Sequence, residues 1–404
     1  MSTSLSTTPL AIDGIRLGCA QAGIKQSDRD DLLLIELAPG SQCVAAFTRN
    51  AFCAAPVVVA RDHLNERTAR YLLINSGNAN AGTGESGHRA ALECCHAVAA
   101  LCGCESCEVL PFSTGVIGQP LPVARITAAL PAAREALRSD GWSAAARAIM
   151  TTDTLPKIRS TRIEIAGSPV TITGIAKGSG MICPDMATML AYIATDAAIE
   201  PEPLQHLLES AIAPSFNAIS VDGDTSTNDA CVLIATCQAA APRIDDSTSE
   251  AYRLLHDAIT QVCIELARDI VQDGEGATKL VSVTICGAAS HAEARQVGYT
   301  IAHSPLVKTA LFASDPNWGR ILAAVGRAGI EQLDIQGVSL FLDDVQIVAH
   351  GGLCDSYTEE AGRTVMQRDA FTIRVELGRG NESATILTCD LSYDYVKINA
   401  EYRT

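Results

Sequence analysis

Lys177-Gly178-Ser179-Gly180-Met181-Ile182-Cys183-Pro184-Asp185-Met186-Ala187-Thr188-Met189-Leu190 opens on a polar, glycine-rich island and ends among apolar residues. It is no phosphate-binding loop: Gly-x-x-x-x-Gly-Lys-Ser/Thr is absent, and glycine follows the lysine. Just upstream, Thr161 to Gly174 alternates apolar and polar residues around Gly167-Ser168-Pro169, which predicts a hairpin. The same pattern predicts hairpins over Val338–Val348, turning at Asp343-Asp344, and over Phe371–Leu391, turning at Gly378-Arg379-Gly380. Helices are interspersed. Ser247-Thr248-Ser249-Glu250 has the form of a capping box. Behind it Ala251, Leu254, Leu255, Ala258, Ile259, Val262, Cys263, Leu266 and Ile270 recur at helical spacing. Pro201-Glu202-Pro203 starts a second helix, and Arg134 to Met150 is read as a third. The balance predicts an α/β fold, mixed α+β layers with substantial antiparallel sheet.

The chain has 404 residues, 48% hydrophobic and 19% charged, ordinary for a globular protein with a large buried core. Aromatics reach 4%, so small aliphatic side chains must fill that core. A formal net charge of -16 without any Lys/Arg-rich block repels phosphate backbones and argues against nucleic-acid binding. No apolar stretch reaches the roughly 20 residues of a membrane span, and Met1 to Leu10 lacks the basic and apolar regions of a secretory signal. A cytoplasmic protein without membrane partners is the expectation. The 15 cysteines, an odd number without a signal sequence, point to reduced thiols. Cys94, Cys95, His96, Cys102, Cys104 and Cys107 form one cluster. A zinc or iron–sulfur site there is weighed against free thiols packed in the alanine-rich helical stretch His88–Leu101. The thiol reading is favoured, because no second Cys-x-x-Cys completes a four-ligand set.

Gly, Asn, Asp and Thr gather in seven islands: 75–84, 113–118, 151–154, 177–181, 222–229, 273–279 and 315–320. One such island is a turn. Seven, several with a lone Lys, Glu or Arg, suggest loops converging on a polar small-molecule site. The chain contains neither Gly-x-Ser-x-Gly nor His-Glu-x-x-His, and its eight histidines are dispersed, so a Ser-His-Asp triad has no support. A threonine nucleophile has another base available, the free α-amine of the same residue. That solution requires the peptide bond before the threonine to be cut.

On these residues the chain resembles the ornithine acetyltransferases, also called glutamate N-acetyltransferases, of arginine biosynthesis. The resemblance is carried by Lys177–Leu190, the Asn75 island, Thr114-Gly115, Met150–Thr154, the Asp222 and Asp273 islands, Asp315–Arg320 and the C-terminal Asn399–Thr404. It implies autocatalytic cleavage between Ala187 and Thr188 into an α chain of residues 1–187 and a β chain of 188–404. It also implies an N-terminal-nucleophile-like acyltransferase fold of two intertwined chains, assembled as an α2β2 heterotetramer. Thr188 would be the nucleophile that carries acetyl from N2-acetylornithine to glutamate in a ping-pong reaction. Thr114 and Gly115 would form the oxyanion hole, and Thr151, Lys177, Thr188, Glu275, Asn399 and Thr404 would bind substrate. No metal and no cofactor are implied, and acetyl-CoA stays open as a second acetyl donor.

The assignments fit elementary chemistry. Lys177 and Thr151 suit an α-carboxylate, and Glu275 suits the side-chain ammonium of ornithine. Without the resemblance, Lys177 and Glu275 read as solvated loop charges and Thr188 as a strand residue. Two positions depart from the family pattern: Asp185, where Asn is more frequent, and Cys183, where the family varies. Neither removes a catalytic atom. The rival readings are a related self-processing aminopeptidase or amidase that gives the acyl group to water, and a thiol-rich metal or redox protein built on the 94–107 cluster.

Overall fold

The computed structural model describes residues 5–24, 28–183 and 189–401. Two compact units emerge, one of Met1–Asn217 with Asp224–Ile270, the other of Ala218–Gly223 with Val271–Thr404. In chain order the strands are β1 (Ile15–Ala20), β2 (Leu32–Leu37), β3 (Gln42–Phe47), β4 (Tyr71–Asn78), β5 (Val109–Val116), β6 (Lys157–Ile165), β7 (Ser168–Lys177), β8 (Leu190–Thr195), β9 (Ile219–Ser220) and β10 (Ala230–Ala235). They continue as β11 (Leu280–Ala288), β12 (Ser339–Leu342), β13 (Val345–Ala349), β14 (Gly352–Leu353), β15 (Ala370–Glu376) and β16 (Glu382–Cys389).

The first unit holds two sheets, ordered β1-β2-β4-β5 and β3-β10-β8-β7-β6. Strand alternation decides what each face buries. Leu33, Ile35, Leu72, Ile74 and Phe112 of the first sheet share a core with Ile175, Leu190, Tyr192, Val232 and Ile234 of the second. Phe112 and Tyr192 meet edge to face across it, their ring centroids 5.4 Å apart. The opposite face of the four-stranded sheet, with Leu32, Leu34, Leu73 and Val109, buries against Ala91, Cys94, Cys95 and Val98 of helix Gly84–Cys102. Ile126, Ala129 and Leu130 of helix Val123–Glu135 complete that layer. Across the second sheet runs helix Glu250–Gln272, close enough that a Cβ on Gly174 would stand 2.9 Å from Leu266 Cδ1. The unit is therefore layered helix, sheet, sheet, helix. In the second unit the sheet runs β14-β13-β12-β15-β11-β16-β9. Helices His291–Ala302, Pro305–Phe312, Trp318–Gly326 and Glu359–Met366 bury Val297, Ile301, Leu311, Ile321 and Val365 against Val283, Ile285, Ile373 and Val375.

The mixed α/β expectation, with more antiparallel than parallel pairing, holds. Several local readings need correction. The β6–β7 hairpin turns on Ala166 and Gly167, both at positive φ, so Ser168 and Pro169 already belong to the strand. The β12–β13 hairpin turns where expected, with Asp343 at φ 48°. Residues 371–391 are not a hairpin. Strand β11 lies between β15 and β16, parallel to one and antiparallel to the other. The Gly378-Arg379-Gly380 link arches over its end, with the N–H groups of Arg379 and Gly380 donating to Gly287 O at 2.7 and 2.9 Å. Arg134–Met150 is not one helix either. Helix Val123–Glu135 stops, the Arg138 N–H donates to Leu17 O, and a short helix Trp142–Ala148 follows. A Cβ on Gly141 would stand 2.6 Å from Leu17 O, so β1 occupies the space a continuous helix would need. The N-cap of helix Glu250–Gln272 is Ser249, which accepts from Tyr252 N at 3.1 Å. Leu254 faces outward.

Candidate functional site

Strands β4 and β5 run parallel, pairing Ser76 with Thr114 and Gly77 with Gly115, so two of the polar islands begin as strand ends rather than loops. Gly115 has φ +133°, and a Cβ on it would stand 2.3 Å from the carbonyl carbon of Gly77. Only glycine lets the two backbones approach there. Beside it, Ser113 Oγ donates to Asn75 Oδ1 at 2.6 Å, and Asn228 Nδ2 donates to Ala79 O at 2.6 Å and Ser113 O at 2.9 Å. These bonds lock the 224–229 segment onto the ends of β4 and β5.

Lys177 is the last residue of β7, and its side chain is buried. Its Nζ donates to Thr114 Oγ1 at 3.3 Å. An ammonium group has donors only, so Thr114 must accept there, and its own hydroxyl hydrogen is left to point elsewhere. The turn after Lys177 is held by Asp153, whose Oδ1 accepts from Gly178 N and from Lys157 Nζ, both at 2.7 Å. Its Oδ2 accepts from Thr151 N at 3.1 Å, and Thr152 Oγ1 bonds Ser179 Oγ at 2.7 Å. Burial pushes the Asp153 carboxyl up, but the Lys177 and Lys157 ammonium groups and the Gly178 N–H outweigh it and hold it at about 2. A fixed anion thus ties the Thr151 segment to the Lys177 segment, while Thr151 itself stays half-buried.

Strands β7 and β8 are antiparallel neighbours with Lys177 opposite Leu190, so residues 178–189 leave the sheet and return beside their point of departure. A cut within that connection leaves both strands paired. Ala187, Thr188 and Asp185 lie outside the described residues. The chain resumes at Met189, whose N–H donates to Asp229 Oδ1 at 3.1 Å and whose carbonyl accepts from Ala230 N at 3.1 Å.

The second unit carries its own cluster. Glu275 is buried, and its Oε2 accepts from Asn399 Nδ2 at 2.8 Å. The Glu275 loop is tied down by Ser392 Oγ, which donates to Gly276 O at 2.6 Å, and by Asp390, which accepts from the N–H groups of Thr278 and Lys279. At Gly276, with φ +70°, a Cβ would come within 2.5 Å of Tyr395 N, fixing the loop against helix Tyr393–Ala400. Thr404 lies outside the described residues.

The structure therefore pairs Lys177 with Thr114, joins Thr151 to them through Asp153, and separately pairs Glu275 with Asn399. The 315–320 island does something else: Asn317 Oδ1 caps helix Trp318–Gly326 by accepting from Arg320 N. Sequence reading gave no role to Asp153, Asn228 or Asp229, each of which holds a partner between 25 and 149 residues away. The only local signal was the polar islands themselves. Cys94 and Cys95 are buried in helix Gly84–Cys102, and burial pushes the Cys94 thiol up to about 12. Among the described residues no group of three or more His, Cys, Asp or Glu side chains is arranged to hold a metal ion. No helix among them is long and apolar enough to cross a membrane.

Residues 16–404 match the ArgJ family. The arginine biosynthesis bifunctional protein ArgJ of Methylococcus capsulatus is 62% identical over 393 residues, 97% of this chain and 96% of that protein. The protein of the same name from Pseudomonas fluorescens is 54% identical over 393 residues, 97% of each. Among solved structures, the arginine biosynthesis bifunctional protein ArgJ of Bacillus halodurans aligns with TM-score 0.50 and 37% identity. That alignment covers 97% of the solved chain but 52% of this one.

Proposed function

The chain belongs to the ArgJ family, and from that membership we propose how its residues carry out acetyl transfer. It is an acetyltransferase of arginine biosynthesis, moving acetyl from N-acetylornithine to glutamate. The chain is cut between Ala187 and Thr188, and Thr188, now an N-terminal residue, takes the acetyl group as an ester. Its freed α-amine serves as the base, so the chemistry asks for no bound cofactor or metal. Acetyl-CoA is a candidate second donor. Both cleavage products share the β3-β10-β8-β7-β6 sheet, which supports intertwined chains that stay together after the cut, assembled as α2β2 in the cytoplasm. That the Bacillus halodurans chain matches nearly end to end while spanning 52% of this one also supports two chains.

The observation that carries the reading is the Lys177–Thr114 contact at the end of β7. It leaves the Thr114 hydroxyl hydrogen available beside the Gly115 N–H as an oxyanion hole, on the strand edge next to the connection that carries Thr188. Lys177 and Thr151 meet the substrate α-carboxylate. Glu275, oriented by Asn399, meets the ornithine ammonium, and Thr404 completes the binding set.

Two measurements test substrate and acceptor together. Incubation with N-acetylornithine should release ornithine in step with N-acetylglutamate when glutamate is present, and only slowly in its absence. Release that ignores glutamate would instead establish the hydrolase. Glu275→Gln should raise KM for N-acetylornithine by roughly tenfold or more, since a charge-assisted bond contributes about 1.5–3 kcal/mol. Its KM for glutamate should change far less, because glutamate brings no side-chain ammonium. An equal effect on both substrates would remove Glu275 from ammonium recognition.

A further inference from the structure

The Asp153 side chain has no exposed surface, and that of its ion-pair partner Lys157 is 2% exposed. The two stand four residues apart at the entry to β6, outside any helix. Burying such a pair costs about as much solvation as the attraction returns, so stability alone is a poor reason to keep it. What the carboxylate holds is more telling. Both of its oxygens accept from backbone N–H groups, Oδ2 from Thr151 at 3.1 Å and Oδ1 from Gly178 at 2.7 Å. Thr151 is one of the two residues assigned to the substrate α-carboxylate, and Gly178 directly follows the other, Lys177. Asp153 and Gly178 are 25 residues apart, so nothing local fixes their spacing. The Lys157 ammonium donates to Oδ1 at 2.7 Å, whereas Lys177 donates to Thr114.

We propose that Asp153 is a positioning residue for substrate recognition: its two oxygens set Thr151 and Lys177 at the separation that fits one α-carboxylate. Lys157 is its counter-ion, so that Lys177 stays aimed at Thr114 and does not fold back onto Asp153. This rests on Lys177 and Thr151 meeting the substrate α-carboxylate. N-acetylornithine and glutamate each carry that group, so the device serves both half-reactions, whereas Glu275 serves the ornithine side chain alone. The α-carboxylate thereby becomes the feature that donor and acceptor must share.

Asp153→Asn combined with Lys157→Met removes one negative and one positive charge, so the net charge near Lys177 is kept. An amide offers one acceptor oxygen and one NH2, so whichever way it turns, the N–H of Thr151 or of Gly178 meets a donor. The bond between the Thr152 and Ser179 hydroxyls at 2.7 Å remains to hold the two segments together. In the cut, folded double variant KM should rise by roughly tenfold or more for N-acetylornithine and glutamate alike. Its kcat should stay within about threefold of wild type, because the clamp acts equally in ground and transition states. Wild type should prefer N-acetylornithine to N-acetylornithinamide, and glutamate to its α-amide isoglutamine, by roughly 10- to 100-fold in kcat/KM. In the double variant both preferences should shrink to about threefold or less. A merely structural role would lower kcat or the folded fraction and leave the preferences intact. Wild-type KM values with both preferences kept, or a change confined to one substrate, overturn the proposal. Should the double variant not fold or not be cut, Asp153→Asn alone is read by the same ratios. Failure of both to give cut, folded enzyme makes Asp153 part of the scaffold and also overturns it. A wild-type enzyme that takes acid and amide equally sinks the α-carboxylate assignment itself, and the proposal with it.

Discussion

Thr188→Ala leaves one uncut chain of 42.4 kDa with no transferase activity. The methyl-only side chain can neither attack the preceding carbonyl nor carry an acetyl ester, so cleavage and catalysis fail together. Thr188→Ser keeps a hydroxyl and should still be cut. The uncut alanine variant should nevertheless fold, because the connection it lies in begins and ends on the paired strands β7 and β8. Intact mass and a melting curve read both outcomes. An alanine variant that splits before residue 188 would show that another residue or another protein makes the cut.

Thr114→Ala is the second large effect. Its hydroxyl accepts from Lys177 and, on this account, donates to the oxygen that becomes negative as the acetyl carbon turns tetrahedral. A preorganised donor of this kind is worth roughly 100- to 1,000-fold in kcat. KM should barely move, because the bond strengthens only in the transition state. Loss of the hydroxyl also deprives the Lys177 ammonium of one acceptor, so melting and extent of cleavage are measured before rates are compared. A loss confined to KM would make Thr114 a ground-state binding residue.

Sequence alone went furthest where the physics is local. The period-two alternation of the β6–β7 hairpin is read within a dozen residues, although its turn falls on Ala166-Gly167 and not on Gly167-Ser168-Pro169, and the start of the helix at Pro201 is equally local. It failed where distant chain intervenes. Nothing in 371–391 announces that β11, almost a hundred residues earlier, lies between the two strands. Nothing in 134–150 announces that β1 fills the space of a helical turn. The site divides in the same way. Its islands are visible as composition, and the resemblance named Thr114, Lys177, Glu275 and Asn399. The contacts Lys177–Thr114 and Gly178–Asp153, and the carboxyl of Asp229 under Met189, arise from tertiary packing. Asp153 and Lys157 would read as ordinary surface charges. Only the buried pairing turns them into the frame that holds Gly178.

The central claim is that one residue, Thr188, is both the product of the cut and the carrier of acetyl. The direct measurement is intact-mass and peptide mass spectrometry of the purified enzyme before and after mixing with N-acetylornithine alone. The account predicts two chains divided between Ala187 and Thr188, with one acetyl group appearing on the peptide that begins at Thr188 and leaving as N-acetylglutamate when glutamate is added. A single uncut chain that transfers acetyl, or two chains that turn over without an acetylated Thr188 peptide, would contradict it.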